Sequence, residues 1–155
     1  MKTVVLGFPR SGTGTMAKRL NLGHEEKNEN GISDWHMSMD FIREKEKLIH
    51  VMRNPIDVIA SNLFTMSAYS LQFIIGMADI EDKSLLSTII EGFIKWTNAI
   101  ELLNPDEIIL IEDIEEIHNA RKHPKMKWSD LDVVPLELRN NIKEIAIKYG
   151  YDPND

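Results

Sequence analysis

The chain has 155 residues, 43% hydrophobic and 28% charged, enough to bury the core of one domain and too apolar for wholesale disorder. Lys and Arg number 18 against 25 Asp and Glu, a formal net charge of -7 that argues against broad binding of nucleic acid or an anionic membrane. The absence of cysteine excludes disulfides, thiol catalysis and cysteine-ligated metal. No apolar run reaches the roughly 20 residues of a membrane span, and Pro9 and Arg10 interrupt the N-terminus too early for a signal peptide. These features predict a single soluble, cytoplasmic domain over residues 1–155 with no membrane partner.

Thr3 to Leu6 is a short, β-branched apolar run ending at Gly7, the pattern of a buried strand. The loop GFPRSGTGT, residues 7–15, follows, and Met16, Ala17 and Leu20 then recur at helical spacing within residues 13–21. Strand, glycine-rich loop and helix in this order open an α/β phosphate-binding unit. Residues 24–34, HEEKNENGISD, are polar and predict a surface loop. Leu48 to Met52 is a second buried run, ending at Arg53. A helix start comes next: Asn54 can cap, Pro55 suits the first helical position, and Asp57 lies in the first turn, with Ile56, Ile59, Ala60 and Leu63 as the apolar face.

Residues 84–103 repeat the helical pattern through Leu86, Ile89, Ile90, Phe93, Trp96, Ile100 and Leu103, and Asn104-Pro105 closes it. Ile108 to Ile111 predicts a third buried strand, followed by Glu112 and Asp113. Residues 119–130 predict another surface loop, and Pro135 opens a last helix carrying Leu138, Ile142, Ile145 and Tyr149, stopped by Gly150 and Pro153. Short buried strands alternating with amphipathic helices predict an α/β fold with a parallel β-sheet covered by helices. Ligands of such sheets sit at the carboxyl ends of the strands, where Gly7 to Thr15, Arg53 and Glu112 fall.

The loop has the chemistry of an anion site. Residues 1–23 carry Lys2, Arg10, Lys18 and Arg19 and no Asp or Glu, a local +4 in a chain of -7. Free N–H groups and the dipole at a helix N-terminus favour an anion, and glycines let the backbone approach it. Ser11, Thr13 and Thr15 add hydroxyl donors and Arg10 a full charge. Gly7 and Gly12 have the spacing of a nucleoside-triphosphate loop, but Thr13 stands where the lysine of that motif belongs. A dinucleotide fingerprint read through Gly12, Gly14 and Ala17 starts too late, because Phe8 to Ser11 intervene after the strand.

FPRSGTGT resembles the 5′-phosphosulfate-binding loop of the sulfotransferases, and VMRNPIDVIAS, residues 51–61, resembles that family's 3′-phosphate motif. WTNAIELLNPDEIILIEDI, residues 96–114, is similar to the family's Trp helix and Tyr-Glu-Asp-Leu strand, and KWSDL with AIKYGY to the C-terminal segment of short bacterial and viral members. The resemblance implies a P-loop NTPase-like, three-layer α/β sandwich with a parallel β-sheet. It implies metal-free, in-line transfer of a sulfuryl group from 3′-phosphoadenosine 5′-phosphosulfate (PAPS) to an acceptor hydroxyl or amine, leaving 3′-phosphoadenosine 5′-phosphate (PAP). On this resemblance Arg10, Ser11, Gly12, Thr13, Gly14 and Thr15 would hold the 5′-phosphosulfate, and Arg53 and Ser61 the 3′-phosphate. Arg10 would stabilise the departing phosphate. Arg53 offers a planar fork for a terminal phosphate. Structurally neutral readings pair Arg53 with Asp57 and bond Ser61 back to its own helix.

Members of the family use a His or a Glu to deprotonate the acceptor. By position Glu25 fits best, with His24 as an orienting group or alternative base, and His36 is a second candidate. His50, inside an apolar strand, reads as a core histidine, and His118 and His123 as surface residues. HEEKN lacks the second histidine of a HExxH helix, so no metal site is expected. Trp35 and Trp128 have two readings, stacking on a sugar or adenine and ordinary packing. The family's Gly-x-x-Gly-x-x-Lys-Gly element is absent, RKHPKMKW offering only loose basic residues. Two alternatives stay open: a P-loop kinase-like phosphotransferase using Mg-ATP, and a non-catalytic nucleotide-binding module. The expected acceptor is a small molecule or carbohydrate, with its identity and the oligomeric state left open.

Overall fold

Val4, Val5 and Leu6 point alternately to opposite faces of one strand, yet each is at most 3% exposed, so both faces of the sheet are covered at this strand. The computed structural model describes residues 2–36, 39–77, 84–114 and 123–154. The chain forms two compact units, Met1–Arg53 with Thr97–His118, and Asn54–Trp96 with Asn119–Asp155.

The first unit holds the sheet. Its elements are β1 (Thr3–Leu6), α1 (Thr13–Leu20), β2 (Gly23–His24), β3 (Gly31–Asp34), α2 (Met39–Glu44), β4 (Lys47–Met52) and β5 (Glu107–Leu110). The five strands lie in the order β2-β3-β1-β4-β5, and every pair is parallel. All carboxyl ends therefore share one edge of the sheet. β1 registers Leu6 opposite Asp34 on one side and His50 on the other. Helix α1 packs against β1, β2 and β3. Its Met16 joins Val5, Ile49, Val51, Leu22, Ile111 and Ile114 in a buried cluster, each large side chain contributing about 1.5–3 kcal/mol of burial.

Several expectations are corrected. Residues 24–34 are not a surface loop: they contain His24 of β2 and all of β3, whose four residues are buried. β5 ends at Leu110 rather than Ile111, and it is not buried, Ile108 being 52% exposed. The reason is its place at the edge of the sheet, where β4 is its one neighbour among the described residues. Asp106 pins its start by donating its backbone N–H to the Leu48 carbonyl and accepting the Leu48 N–H on Oδ2. Leu20 is 37% exposed, so the buried face of α1 is Thr13, Met16 and Ala17.

The second unit contains α3 (Pro55–Thr65), α4 (Ala68–Met77), α5 (Leu85–Leu102) as far as Trp96, a 3₁₀ segment Trp128–Val133 and α6 (Leu136–Lys148). Asn54 caps α3, its Oδ1 accepting from the Ile56 N–H at 3.3 Å, with Pro55 in the first turn as the sequence predicts. Helix α6 packs on α3 and on the 3₁₀ segment, burying Leu138, Ile142 and Ile145. It stops at Gly150 with φ of 84°. Of the expected loop at 119–130, residues 119–122 lie outside the described residues, and its end is corrected: Trp128 opens the 3₁₀ turn and is 4% exposed, a packing residue.

Candidate functional site

The head of α1 is built from backbone that ordinary side chains resist. Arg10 and Gly12 both take positive φ, 72° and 104°, which re-aims the N–H groups around Ser11. A Cβ on Gly12 would sit 2.5 Å from Ile111 Cδ1, and one on Gly7 2.8 Å from the Val51 carbonyl oxygen. Both glycines therefore let the loop lie close against the carboxyl edge of the sheet. Gly12 is the N-cap of α1 and supplies no side-chain hydrogen bond, and the first turn holds no acidic residue. The free N–H groups and dipole of the helix head are thus left to attract an anion.

Ser11 is fully buried, and its Oγ has no hydrogen-bond partner among the described residues. A buried hydroxyl in that condition costs about 1–3 kcal/mol relative to a satisfied one. Its backbone N–H donates to the Phe8 carbonyl at 2.9 Å, closing the turn. Thr13 is buried, Thr15 half-buried and Arg10 exposed. Arg53 follows the end of β4, and its Nη1 lies 3.5 Å from the Arg10 carbonyl oxygen, at the long limit of a hydrogen bond. The loop and Arg53 are therefore neighbours at the same edge.

Of the base candidates, His24 is the one fixed beside α1. Its Nδ1 is 2.8 Å from the Ser33 carbonyl oxygen. A carbonyl only accepts, so Nδ1 carries the proton and Nε2 of the neutral ring is the basic nitrogen. Nε2 faces Gly14, 3.6 Å from where a Cβ would stand there. Glu25 is exposed with φ of 67°. His36 is also exposed, and its ring meets the edge of Trp35 at 6.0 Å between centroids. His50 is 1% exposed within β4, in line with a core histidine. His123 is partly exposed, with Nδ1 3.0 Å from the Pro124 carbonyl oxygen, and His118 lies outside the described residues.

Ser61 is in the second unit, 6% exposed on α3. Its Oγ is 3.4 Å from Thr65 Oγ1, and Thr65 donates to the Ser61 carbonyl at 2.6 Å, so the hydroxyl interacts within its own helix. Among the described residues no group of three or more His, Cys, Asp or Glu is arranged to hold a metal ion.

Ser33 and Asp34 escaped the sequence analysis. The Ser33 Oγ donates to the Thr13 carbonyl at 2.6 Å, joining β3 to the first turn of α1. Asp34 is 6% exposed, and its Oδ1 accepts the Trp35 N–H at 2.7 Å. Burial raises its carboxyl above the ordinary aspartate range, against the lowering pull of the Trp35 and His36 backbone N–H groups and of His24 and His36. A signal was present: Asn28 Oδ1 accepts the Asn30 and Gly31 N–H groups, so NENG is a turn that delivers the chain into β3.

An open cleft of about 700 Å³ runs along α1, lined by Gly14, Thr15, Ala17, Lys18, Asn21, Leu22 and His24. The whole is an α/β protein with a five-stranded parallel sheet and a glycine-rich loop at its carboxyl edge. Comparison with protein-family models, with curated proteins and with solved structures found no match.

Proposed function

We propose that this protein is a PAPS-dependent sulfotransferase of the P-loop-like, three-layer α/β type, moving a sulfuryl group to an acceptor hydroxyl. The observation that carries the reading is the Ser11 hydroxyl, buried without a partner among the described residues, between two residues of positive φ at the head of α1. Uncapped N–H groups, that hydroxyl and the absence of acid in the first turn fit the 5′-phosphosulfate. Arg53 beside the loop fits the 3′-phosphate, while the assignment of Ser61 to the same group rests on the motif spacing alone.

PAPS supplies the activated sulfuryl group. Transfer of this kind builds charge on the leaving phosphate oxygen, so donors already in place at the helix head and the Arg10 guanidinium lower the barrier. His24 Nε2 takes the acceptor proton, held in the basic tautomer by the Ser33 carbonyl. Glu25 becomes the secondary candidate. This assignment reverses the order expected from position in the sequence.

Calorimetric titration with PAP, with adenosine 5′-monophosphate and with ATP in the presence and absence of magnesium tests the reading. Metal-independent binding of PAP that is lost with its 3′-phosphate is the expected result. Binding of Mg-ATP without binding of PAP would overturn it in favour of a kinase-like phosphotransferase. PAP binding without turnover over an acceptor screen would leave a nucleotide-binding module.

A further inference from the structure

The cleft along α1 has a composition that selects among acceptors. Among the described residues its only permanent charge is the Lys18 ammonium, and none of those lining it is Asp or Glu, in a chain whose net charge is -7. Ala17 and Leu22 supply an apolar floor, at 4% and 8% exposed. Thr15 and Asn21 add neutral polar groups. The far wall is held in place, because the Asn21 carbonyl accepts from the side-chain amides of Asn28 and Asn30 at 3.0 and 3.1 Å. At the near end stands His24 Nε2, over the bare backbone of Gly14.

We infer, resting on the sulfotransferase reading, that this cleft is the acceptor site and that it takes a hydroxylated acceptor carrying its own anionic group, of about the size of one sugar ring. The hydroxyl goes to His24 and the anionic group to Lys18. Gly14 and Lys18 stand four residues apart on α1, one turn along the same face, so His24 over Gly14 and the Lys18 ammonium serve two ends of one acceptor. A hexuronate carries a carboxylate and a ring hydroxyl at opposite ends of one ring, as this arrangement requires. The volume of about 700 Å³ is in the range of small-molecule sites.

The test is an NMR titration of the isotopically labelled full chain with methyl glucuronide and with methyl glucoside, each with and without PAP. Saturable shifts at Gly14, Ala17 and the His24 ring are expected, with the glucuronide tighter by about fivefold at low salt, as for an exposed ion pair. The preference should shrink as salt is added. Lys18→Ala should abolish the preference without changing PAP binding. Gly14→Ala, which puts a methyl in contact with Nε2 and leaves the helix intact, should weaken both sugars.

Equal affinity for the two sugars, or shifts confined to other parts of the chain, would overturn the inference. Failure of PAP to bind while the glucuronide still fills the cleft would instead sink the nucleotide reading and leave the cleft as an anion-selective sugar site.

Discussion

Ser33 holds His24 and the head of α1 in one arrangement: its carbonyl oxygen lies 2.8 Å from His24 Nδ1, and its hydroxyl donates to the Thr13 carbonyl at 2.6 Å. A single residue of a buried strand thereby orients an imidazole and sets the first turn of the helix it faces. If that imidazole is the base, His24→Asn lowers kcat for sulfuryl transfer by about 10²- to 10⁴-fold and leaves PAP affinity as it was. Glu25→Gln then stays near the parent rate. The opposite pair of results would return the role to Glu25.

Ser11→Ala separates stability from binding. Removing a buried hydroxyl that has no partner among the described residues should stabilise the free protein by up to about 1–3 kcal/mol, measured by urea denaturation. The same change should weaken PAP binding, because the hydroxyl is then missing where the anion would use it. Lost stability together with unchanged affinity would mean that Ser11 serves the fold.

Gly12 and Gly14 are two residues apart and should respond in opposite directions. At Gly12 an alanine meets both a φ of 104° and Ile111 at 2.5 Å, so Gly12→Ala should cost more than about 1 kcal/mol. Adding Ile111→Ala removes the contact but not the strain, and should not restore the head of α1. Gly14→Ala meets only an ordinary contact with His24, so the better helix former should leave stability unchanged or raise it by up to about 1 kcal/mol. Denaturation of the single and double variants reads all of these.

Arg53→Ala should weaken PAP by about tenfold or more while leaving adenosine 5′-monophosphate unaffected, since a charged hydrogen bond to the 3′-phosphate is what the side chain would supply. An equal loss for both nucleotides would place Arg53 at the 5′ group instead, next to the Arg10 carbonyl that it already approaches.

Asp34 makes a prediction in pH. Burial raises its folded-state pKa, so the folded protein holds the proton to higher pH than the unfolded chain does. The favourable contribution of the protonated form is complete below the unfolded value of 3.8 and is lost as pH rises through the folded value. Asp34→Asn keeps an oxygen to accept the Trp35 N–H but cannot ionise. The stability of the variant relative to the parent should therefore rise with pH across the acid range and level off above it. A relative stability falling over that range would mean that the ionised carboxylate is favourable in the fold.

Much of the site is legible locally. Thr3 to Leu6, the glycine loop and the helix after it fall where their composition puts them. So do Arg53, the Asn54-Pro55 helix start and the Gly150 stop. What could not be read from its own residues is β3, although the NENG turn before it marks its start. Four residues, Gly31-Ile32-Ser33-Asp34, are too few to show a period, and half of them are polar. The Ser33 hydroxyl is answered by the Thr13 carbonyl, far along the chain, and the Asp34 carboxyl by the Trp35 N–H just past the strand end.

The sequence by itself therefore determined the glycine-rich loop, its helix and the arginine at the end of β4, because caps, turns and apolar periodicity act between residues a few positions apart. Only the tertiary structure decided that β3 lies between β1 and β2, that His24 rather than Glu25 faces Gly14, and that Ile108 is on an exposed edge. Parallel strands find their neighbours through hydrogen bonds between segments distant in sequence, and those pairings leave no local mark in the residues that make them.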